Sequence, residues 1–253
     1  MQMTGNTILI TGGTTGIGRA LAEAFHALGN QVIITGRRQK LLEEVAAASP
    51  GMKWAVLDVQ DAAAIRSFAA KLAKDFPALN VLINNAGIMR AENVKQQPDD
   101  LADAEATVTT NLLGPIRLTA ALLPLLQKQT RAAIVNVSSG LAFLPLAITP
   151  TYCATKAAIH SYTQSLRYQL KDTTVSVVEI VPPYVQTELM GGAEDPRAMP
   201  LQEFIAETME ILGGQRDVAE VCVERVKPLR YAAESGKYAQ TFKGFNDAMA
   251  GGH

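Results

Sequence analysis

The stretch TILITGGTTGIG, residues 7–18, decides the fold of this chain. Five residues of β-forming character, Thr7–Thr11, run directly into a glycine-rich turn. The segment after the turn carries apolar residues at helical spacing as far as Gly29. This pattern predicts a strand, a tight turn and a helix in immediate succession, with Gly29 ending the helix.

The glycines of the turn, Gly12, Gly16 and Gly18, follow a Gly-x-x-x-Gly-x-Gly spacing. Without a Cβ, the backbone N–H groups at a helix N-terminus can approach the pyrophosphate of a dinucleotide. The spacing differs from the commoner Gly-x-Gly-x-x-Gly fingerprint, so a glycine-rich turn without a ligand is the alternative on this motif alone.

Short apolar runs alternate with helical segments along the rest of the chain. Because these runs are apolar on both faces, they predict a parallel sheet covered by helices on each side, a doubly wound α/β fold of Rossmann type. No repeat, linker or composition break divides residues 1–253, so we expect one domain. The predicted strands are Thr7–Thr11, Gln31–Thr35, Trp54–Val59, Val81–Asn84, Ala132–Val137 and Val175–Val181.

The second predicted strand is followed by Gly36, Arg37 and Arg38. A site for NAD(H) normally places an Asp or Glu here to bind the ribose 2′-hydroxyl. Two guanidinium groups can instead hold a 2′-phosphate through charge-assisted hydrogen bonds. The sequence therefore predicts NADP(H), with ordinary solvated arginines at a helix start as the alternative.

A second motif, Tyr152-Cys153-Ala154-Thr155-Lys156, opens a helical stretch and places Tyr152 and Lys156 on one helix face. An ammonium close to a phenol stabilises the phenolate, so we expect Lys156 to lower the pKa of Tyr152. A solvated helix face is the alternative interpretation of this spacing.

Polar side chains also follow the predicted strands, where ligands of doubly wound sheets bind. Ser139 follows one strand, Asn85 follows another, and Asn111 lies in a long helix expected to begin after Pro98. A turn cap, a loop amide and a buried helix amide are the respective alternatives.

Taken in this order, the motifs resemble the short-chain dehydrogenases/reductases from Thr7 to about Thr187. Ser139 precedes Tyr152 by 13 residues and Asn111 precedes it by 41, which looks like the family's usual spacing. The sequence segments at residues 33–38 and 181–184 look most like those of a DltE-like bacterial subgroup.

The resemblance implies a catalytic tetrad. Tyr152 would exchange a proton with the substrate oxygen, Ser139 would orient that oxygen, and Asn111 would anchor a water of the proton relay. Lys156 would lower the tyrosine pKa and hold the nicotinamide ribose. The residues expected at the cofactor are Gly12, Thr14, Gly16, Ile17, Gly18, Arg37, Arg38, Asp58, Val59, Asn85, Ala86, Gly87, Tyr152, Lys156, Pro182, Val185 and Thr187.

The segment Pro182–Gly214 is predicted to be a lid over an apolar pocket that takes bulky ketones. Its apolar residues are Tyr184, Leu189, Met190, Met199, Leu201, Phe204 and Met209, and a facing wall is expected from Leu141, Phe143 and Leu144. Residues 182–187 read Pro-Pro-Tyr-Val-Gln-Thr, where many relatives carry Pro-Gly. The tail, Lys237–His253, lacks the glycine-rich final strand of many relatives.

Composition excludes other classes of function. Hydrophobic residues make up 48% and the net charge is -1, so the chain has no broad cationic field for nucleic acid or an anionic membrane. The N-terminus does not read as a signal peptide, and we expect a cytoplasmic protein with free buried thiols at Cys153 and Cys222 and no metal site.

The leading hypothesis is an NADP(H)-dependent carbonyl reductase acting on a small-molecule ketone or alcohol. A non-catalytic NADP(H) sensor is the rival from another class, although an intact tetrad argues against it. A nucleotide-sugar epimerase is a third possibility, for which 253 residues leave little room. Family tetramers bury helices that correspond to Leu101–Leu126 and Thr151–Leu170, so a homodimer or homotetramer is expected.

Overall fold

The protein, described by a computed structural model over residues 2–96, 101–214 and 217–250, is built on one parallel sheet. Its strand order is β3-β2-β1-β4-β5-β6-β7. The strands are β1 Thr7–Thr11, β2 Gln31–Gly36, β3 Lys53–Val56, β4 Leu79–Asn84, β5 Ala132–Val137, β6 Val175–Val181 and β7 Glu220–Cys222. The chain order reverses between β1 and β4, which opens a crevice at the carboxyl ends of these strands.

Helices cover both faces of the sheet. Alternate residues of each strand point to opposite sides, so Ile8 and Ile10 of β1 enter one core and Leu9 enters the other. The helices are α1 Gly16–Ala27, α2 Gln39–Ala48, α3 Ala62–Asp75, α4 Ala102–Val108, α5 Gly114–Leu126, α6 Pro150–Gln169, α7 Leu201–Gly214, α8 Lys227–Arg230 and α9 Tyr238–Ala250. The predicted doubly wound α/β fold in a single domain is confirmed.

The strand predictions hold to within two residues at each end except at the edges of the sheet. β3 ends at Val56 instead of Val59, because Asp58 accepts a hydrogen bond from Gln60 N and turns the chain. Val56 is 50% exposed, so this edge strand is not buried on both faces. β7 was not predicted, since three residues give too short a pattern.

The helix that carries Asn111 contains an irregular turn. A π turn over Thr109–Leu113 joins α4 to α5, and such turns are frequent at functional sites. Pro98, after which this helix was expected to begin, lies outside the described residues. Within the described part of the chain, no helix has the length and apolar character needed to cross a bilayer.

The segment Pro182–Gly214 divides into two parts with different surroundings. Residues 183–191 run along the crevice, whereas α7 packs into the core beside α1. The expectation that the whole apolar set would line a pocket is therefore wrong in part, because its second half faces the hydrophobic core. The residues concerned are Met199, Leu201, Phe204 and Met209.

We predict that Phe204→Ala lowers the free energy of unfolding by about 3–5 kcal/mol, because it leaves a cavity in the core. Phe204 is fully buried, whereas Leu189 of the same segment is 39% exposed. The control Leu189→Ala should change stability by no more than about 0.5 kcal/mol. Urea unfolding of both variants measures the difference, and equal losses would contradict the division of the segment.

Candidate active site

A cleft of about 700 Å³ lies at the carboxyl ends of the central strands. It extends from the glycine-rich turn after β1, past the end of β2, to the start of α6. Every residue expected at the cofactor lines it, from Gly12 to Thr187. Ser139, Tyr152 and Lys156 also line it, so the structure brings together all the predicted site residues except Asn111.

The glycine-rich turn is fixed by the strand next to it. Asn85, which follows β4, donates through Nδ2 to the carbonyls of Thr11 (2.9 Å) and Gly12 (3.2 Å). Thr11 Oγ1 accepts from the backbone N–H groups of Asn85 and Ala86, both at 3.0 Å. A Cβ on Gly18 would lie 2.2 Å from Asn85 Nδ2, so only glycine fits there.

The turn has the features of an anion cradle. Gly12 and Gly16 adopt φ values of +66° and +56°, which other residues rarely take. Thr15, the N-cap of α1, makes no side-chain capping hydrogen bond, and the first turn of α1 holds no acidic residue. The helix N-terminus thus presents N–H groups to the cleft, and these residues fit a bound pyrophosphate.

The end of β2 forms another part of the cleft. Arg37 and Arg38 are exposed and line it, and α2 begins beside them without an acidic residue in its first turn. A Cβ on Gly36 would meet Thr14 Cγ2 at 3.0 Å. Arg38, the N-cap of α2, makes no side-chain capping hydrogen bond. This corner therefore combines two cations with an uncapped helix N-terminus.

The side chains predicted to be catalytic lie deeper in the cleft. Tyr152 and Lys156 are one turn apart on α6 and are only 6% and 5% exposed. Ser139, which follows β5, shares a side-chain hydrogen bond with Tyr152 and accepts one from Leu141 N at 3.1 Å. Two hydroxyl groups thus converge on one point, as a site that stabilises negative charge on a substrate oxygen requires.

The pKa of Tyr152 is shifted in the direction opposite to the one expected from the sequence. Burial raises the pKa of Tyr152 well above its ordinary value, and the hydrogen bond from Ser139 offsets only part of that rise. The expected lowering by Lys156 does not prevail over burial, although its ammonium lies 5.5 Å from the ring centroid and donates to Val137 O at 2.8 Å. Burial also lowers the pKa of Lys156 to about 8, while the charge of Glu179 acts in the opposite direction.

Asn111 is the predicted site residue that does not line the cleft. Its side chain donates to the carbonyl of Ile88 at 2.8 Å and accepts from the N–H of Ile88 at 2.9 Å. It also donates to Thr155 Oγ1 at 3.2 Å, which joins the π turn to α6. The side chain therefore holds the wall of the cleft, and its role in a proton relay stays a prediction.

The apolar end of the cleft contains residues that the sequence did not place there. Tyr184, Leu189 and Met190 line it as expected, and Leu141 does so on the facing side. The expectation is wrong for Phe143 and Leu144, because Leu144 is fully buried and Phe143 packs against the core. Residues that sequence reasoning missed are Met89, Leu146, Ile148, Phe245 and Met249.

Two of these missed residues come from the tail of the chain. Phe245 and Met249 are four residues apart on α9, so their apolar spacing on a helix was the only available signal. Nothing in that spacing indicates which surface the helix contacts.

A nucleotide-shaped groove that ends at a buried pair of hydroxyl groups is the arrangement of an oxidoreductase with a Rossmann-type fold. More specifically, the chain belongs to the short-chain dehydrogenase family, whose model matches residues 6–198. The earlier resemblance to this family is thereby confirmed.

Individual relatives agree with this assignment. The chain is 41% identical to the uncharacterized oxidoreductase DltE of Bacillus subtilis, with 97% of this chain and 98% of the relative aligned. It is 37% identical to sulfoacetaldehyde reductase 2 of Chromohalobacter salexigens, over 72% of this chain and 73% of that protein. The structure of a short-chain dehydrogenase of Burkholderia cenocepacia in complex with NADP superposes on this chain with a TM-score of 0.81 at 25% sequence identity. The superposition covers 95% of this chain and 98% of that protein's chain.

The buried Lys156 predicts a pH dependence of stability. Its pKa is about 8 in the folded protein against an ordinary value of 10.5. Between these values the unfolded chain holds a proton that the folded protein has lost, so the contribution of Lys156 to the free energy of unfolding rises with pH. Below about pH 8, Lys156 is charged in both the folded and the unfolded state, so the full cost of burying its ammonium is subtracted from the free energy of unfolding.

We therefore expect the melting temperature of wild type, relative to that of Lys156→Met, to increase from pH 7 to pH 10. Taking the difference between the two proteins removes the opposite pH dependence that arises from Tyr152 and Cys222, whose pKa values are raised by burial. Lys128→Met, at an exposed position, is the control and should track wild type at every pH. A difference that does not change with pH would contradict the prediction.

Proposed function

We propose that the protein is an NADP(H)-dependent carbonyl reductase that interconverts a ketone and an alcohol. The observation that carries the proposal is the hydrogen-bonded pair Ser139 and Tyr152, buried beside Lys156 in a cleft that fits a dinucleotide. Residues 1–253 would act as one dinucleotide-binding and catalytic domain.

The proton chemistry follows from the charge state of Tyr152. Because burial raises its pKa, the phenol keeps its proton at neutral pH and can donate it to a substrate oxygen. Ser139 Oγ holds the same oxygen in place, and the two hydroxyl groups stabilise the negative charge that develops there. A protonated phenol and a second hydroxyl group that both reach the substrate oxygen are what carbonyl reduction requires.

The cofactor would lie along the glycine-rich turn, with its nicotinamide end near Pro182, Val185 and Thr187. When bound, the nicotinamide supplies or accepts the hydride. Lys156 would hold the ribose, Asp58 and Val59 would lie at the adenine, and Asn111 would anchor a water that reaches Lys156. Asn85, Ala86 and Gly87 would line the adenine ribose side.

The preference for NADP(H) is supported by the corner after β2. Gly36 offers no carboxylate to bind a ribose 2′-hydroxyl or to repel a 2′-phosphate, and Arg37 and Arg38 offer two cations. The Burkholderia cenocepacia relative is described as a complex with NADP.

The substrate is proposed to be a bulky apolar ketone. The end of the cleft next to Tyr152 is lined by Leu141, Leu146, Ile148 and Met89, and methionine side chains adapt to varied shapes. The lid predicted for Pro182–Gly214 is proposed to act through its first part, residues 183–191, since α7 packs into the core. The cytoplasmic location and the homodimer or homotetramer stay predictions.

We expect Tyr152→Phe to lower kcat by a factor of about 10²–10⁴ and to leave NADPH affinity unchanged, because it removes only the hydroxyl that moves the proton. Tyr168→Phe, on the exposed side of the same helix, is the matched control and should keep full activity. Steady-state kinetics and NADPH fluorescence titration measure both effects. Ample turnover by Tyr152→Phe would rule out this mechanism.

For the cofactor preference, we expect Arg37→Ala to raise KM for NADPH much more than KM for NADH, because it removes a partner of the 2′-phosphate. Gly36→Asp should shift kcat/KM towards NADH. Since any Cβ at residue 36 comes within 3.0 Å of Thr14, Gly36→Ala separates crowding from charge. A wild-type enzyme with the higher kcat/KM for NADH, or an unchanged ratio in these variants, would refute the assignment of NADP(H).

A further inference from the structure

The helix α9, Tyr238–Ala250, ends beside the reactive tyrosine although it is remote from it in sequence. Phe245 and Met249 point from α9 into the cleft and pack against a small apolar cluster that contains Tyr152 and Leu146. This is the end of the cleft that the proposed function assigns to the substrate. Anything bound next to the Tyr152 hydroxyl therefore has α9 as a neighbour.

Asn246 attaches α9 to the loop that precedes α6. Its Oδ1 accepts from Ala147 N at 2.6 Å, and its Nδ2 donates to Pro145 O at 3.1 Å. One amide thus pairs with the backbone of residues 145–147 on both sides. This pairing helps to set the position of Phe245, the adjacent residue, and of Met249, which is three residues further along the helix.

The remainder of α9 has little packing against the domain. None of its described side chains is fully buried. The helix follows a turn in which Gly236 adopts a φ of +71°. Contacts within the helix support it: Tyr238 stacks on Phe242 at 6.1 Å, and Lys243 pairs with Asp247 at 2.5 Å. A helix with so few buried side chains is weakly attached to the domain and can adjust its distance from the cleft.

We propose that α9 is the substrate-selecting wall of this enzyme. Phe245 and Met249 contact the apolar body of the carbonyl compound, and Asn246 is a positioning residue that sets the width of the site. The proposal rests on the proposed carbonyl reductase function and deepens it by naming the substrate class, a ketone with an aryl or branched alkyl group next to the carbonyl carbon.

The location of α9 in the chain separates it from the segments that carry the proposed chemistry. The family model ends at residue 198, so α9 lies outside the part that matches it. The residues that move the proton and form the nucleotide cradle all lie before that point. Specificity can therefore vary in the tail without disturbing the chemistry.

The first experiment compares two phenylalanines of the same helix. Phe245→Ala should raise KM for 2-acetonaphthone about tenfold or more, because an aromatic contact with the substrate is lost, and should change KM for 2-butanone by less than about twofold. Phe242→Ala, which removes a ring that does not line the cleft, should change neither value. The Kd for NADPH should be the same in all three proteins.

The second experiment does not depend on turnover. Hydrogen exchange of the peptide covering residues 238–250 is measured with and without 2-acetonaphthone in the presence of NADP⁺. Protection by the ketone is expected in wild type and in Phe242→Ala, but not in Phe245→Ala. Asn246→Ala should exchange faster than wild type without ketone, because the pairing with residues 145–147 is lost.

The outcomes separate the two proposals. If wild type reduces no ketone but the ketone still protects α9, the carbonyl reductase function fails and the substrate wall stands. If Phe245→Ala affects both ketones equally, matches Phe242→Ala, or leaves protection by 2-acetonaphthone unchanged, α9 is a structural cap and the substrate wall is refuted.

Discussion

The joint between the ends of β1 and β4 is the constraint on which the rest of this structure depends. Asn85 and Thr11 exchange side-chain and backbone hydrogen bonds across it. This fixes the glycine-rich turn in a shape that favours glycine at Gly12 and Gly16, which have positive φ values, and requires it at Gly18. The same joint stands where the strand order reverses, so it both opens the crevice and presents the N-terminus of α1 to it. A larger side chain at Gly18 would disturb the sheet and the nucleotide cradle together.

A row of buried polar groups holds α6 against the sheet below the reactive residues. Asn84 donates to Asn136 on the neighbouring strand, and Asn136 donates to Thr163 of α6. Further along the row, His160 of α6 lies 2.8 Å from the fully buried carboxylate of Glu179. The contacts that Asn136 and Glu179 make with Thr163 and His160 hold α6 at a defined position on the sheet, because breaking them would leave further buried polar atoms unpaired.

The same burial that positions the reactive residues also sets their protonation. Tyr152 and Lys156 are both shielded from water, and burial shifts the pKa of each towards the neutral form. The phenol therefore keeps its proton at neutral pH, and the Lys156 ammonium donates to the carbonyl of Val137.

The sequence by itself determined the features that depend on residues close together in the chain. The turn after β1, the alternation of strands and helices and the pairing of Tyr152 with Lys156 follow from backbone conformation and helical spacing, which local residues control. Only the tertiary structure decided that Phe204 faces the core while Phe245 faces the cleft, since both are apolar residues on amphipathic helices. It also reversed the expected direction of the pKa shift of Tyr152. The physical reason is that burial and long-range contacts depend on how the whole chain packs, and a local pattern records that a residue is apolar without recording what it touches.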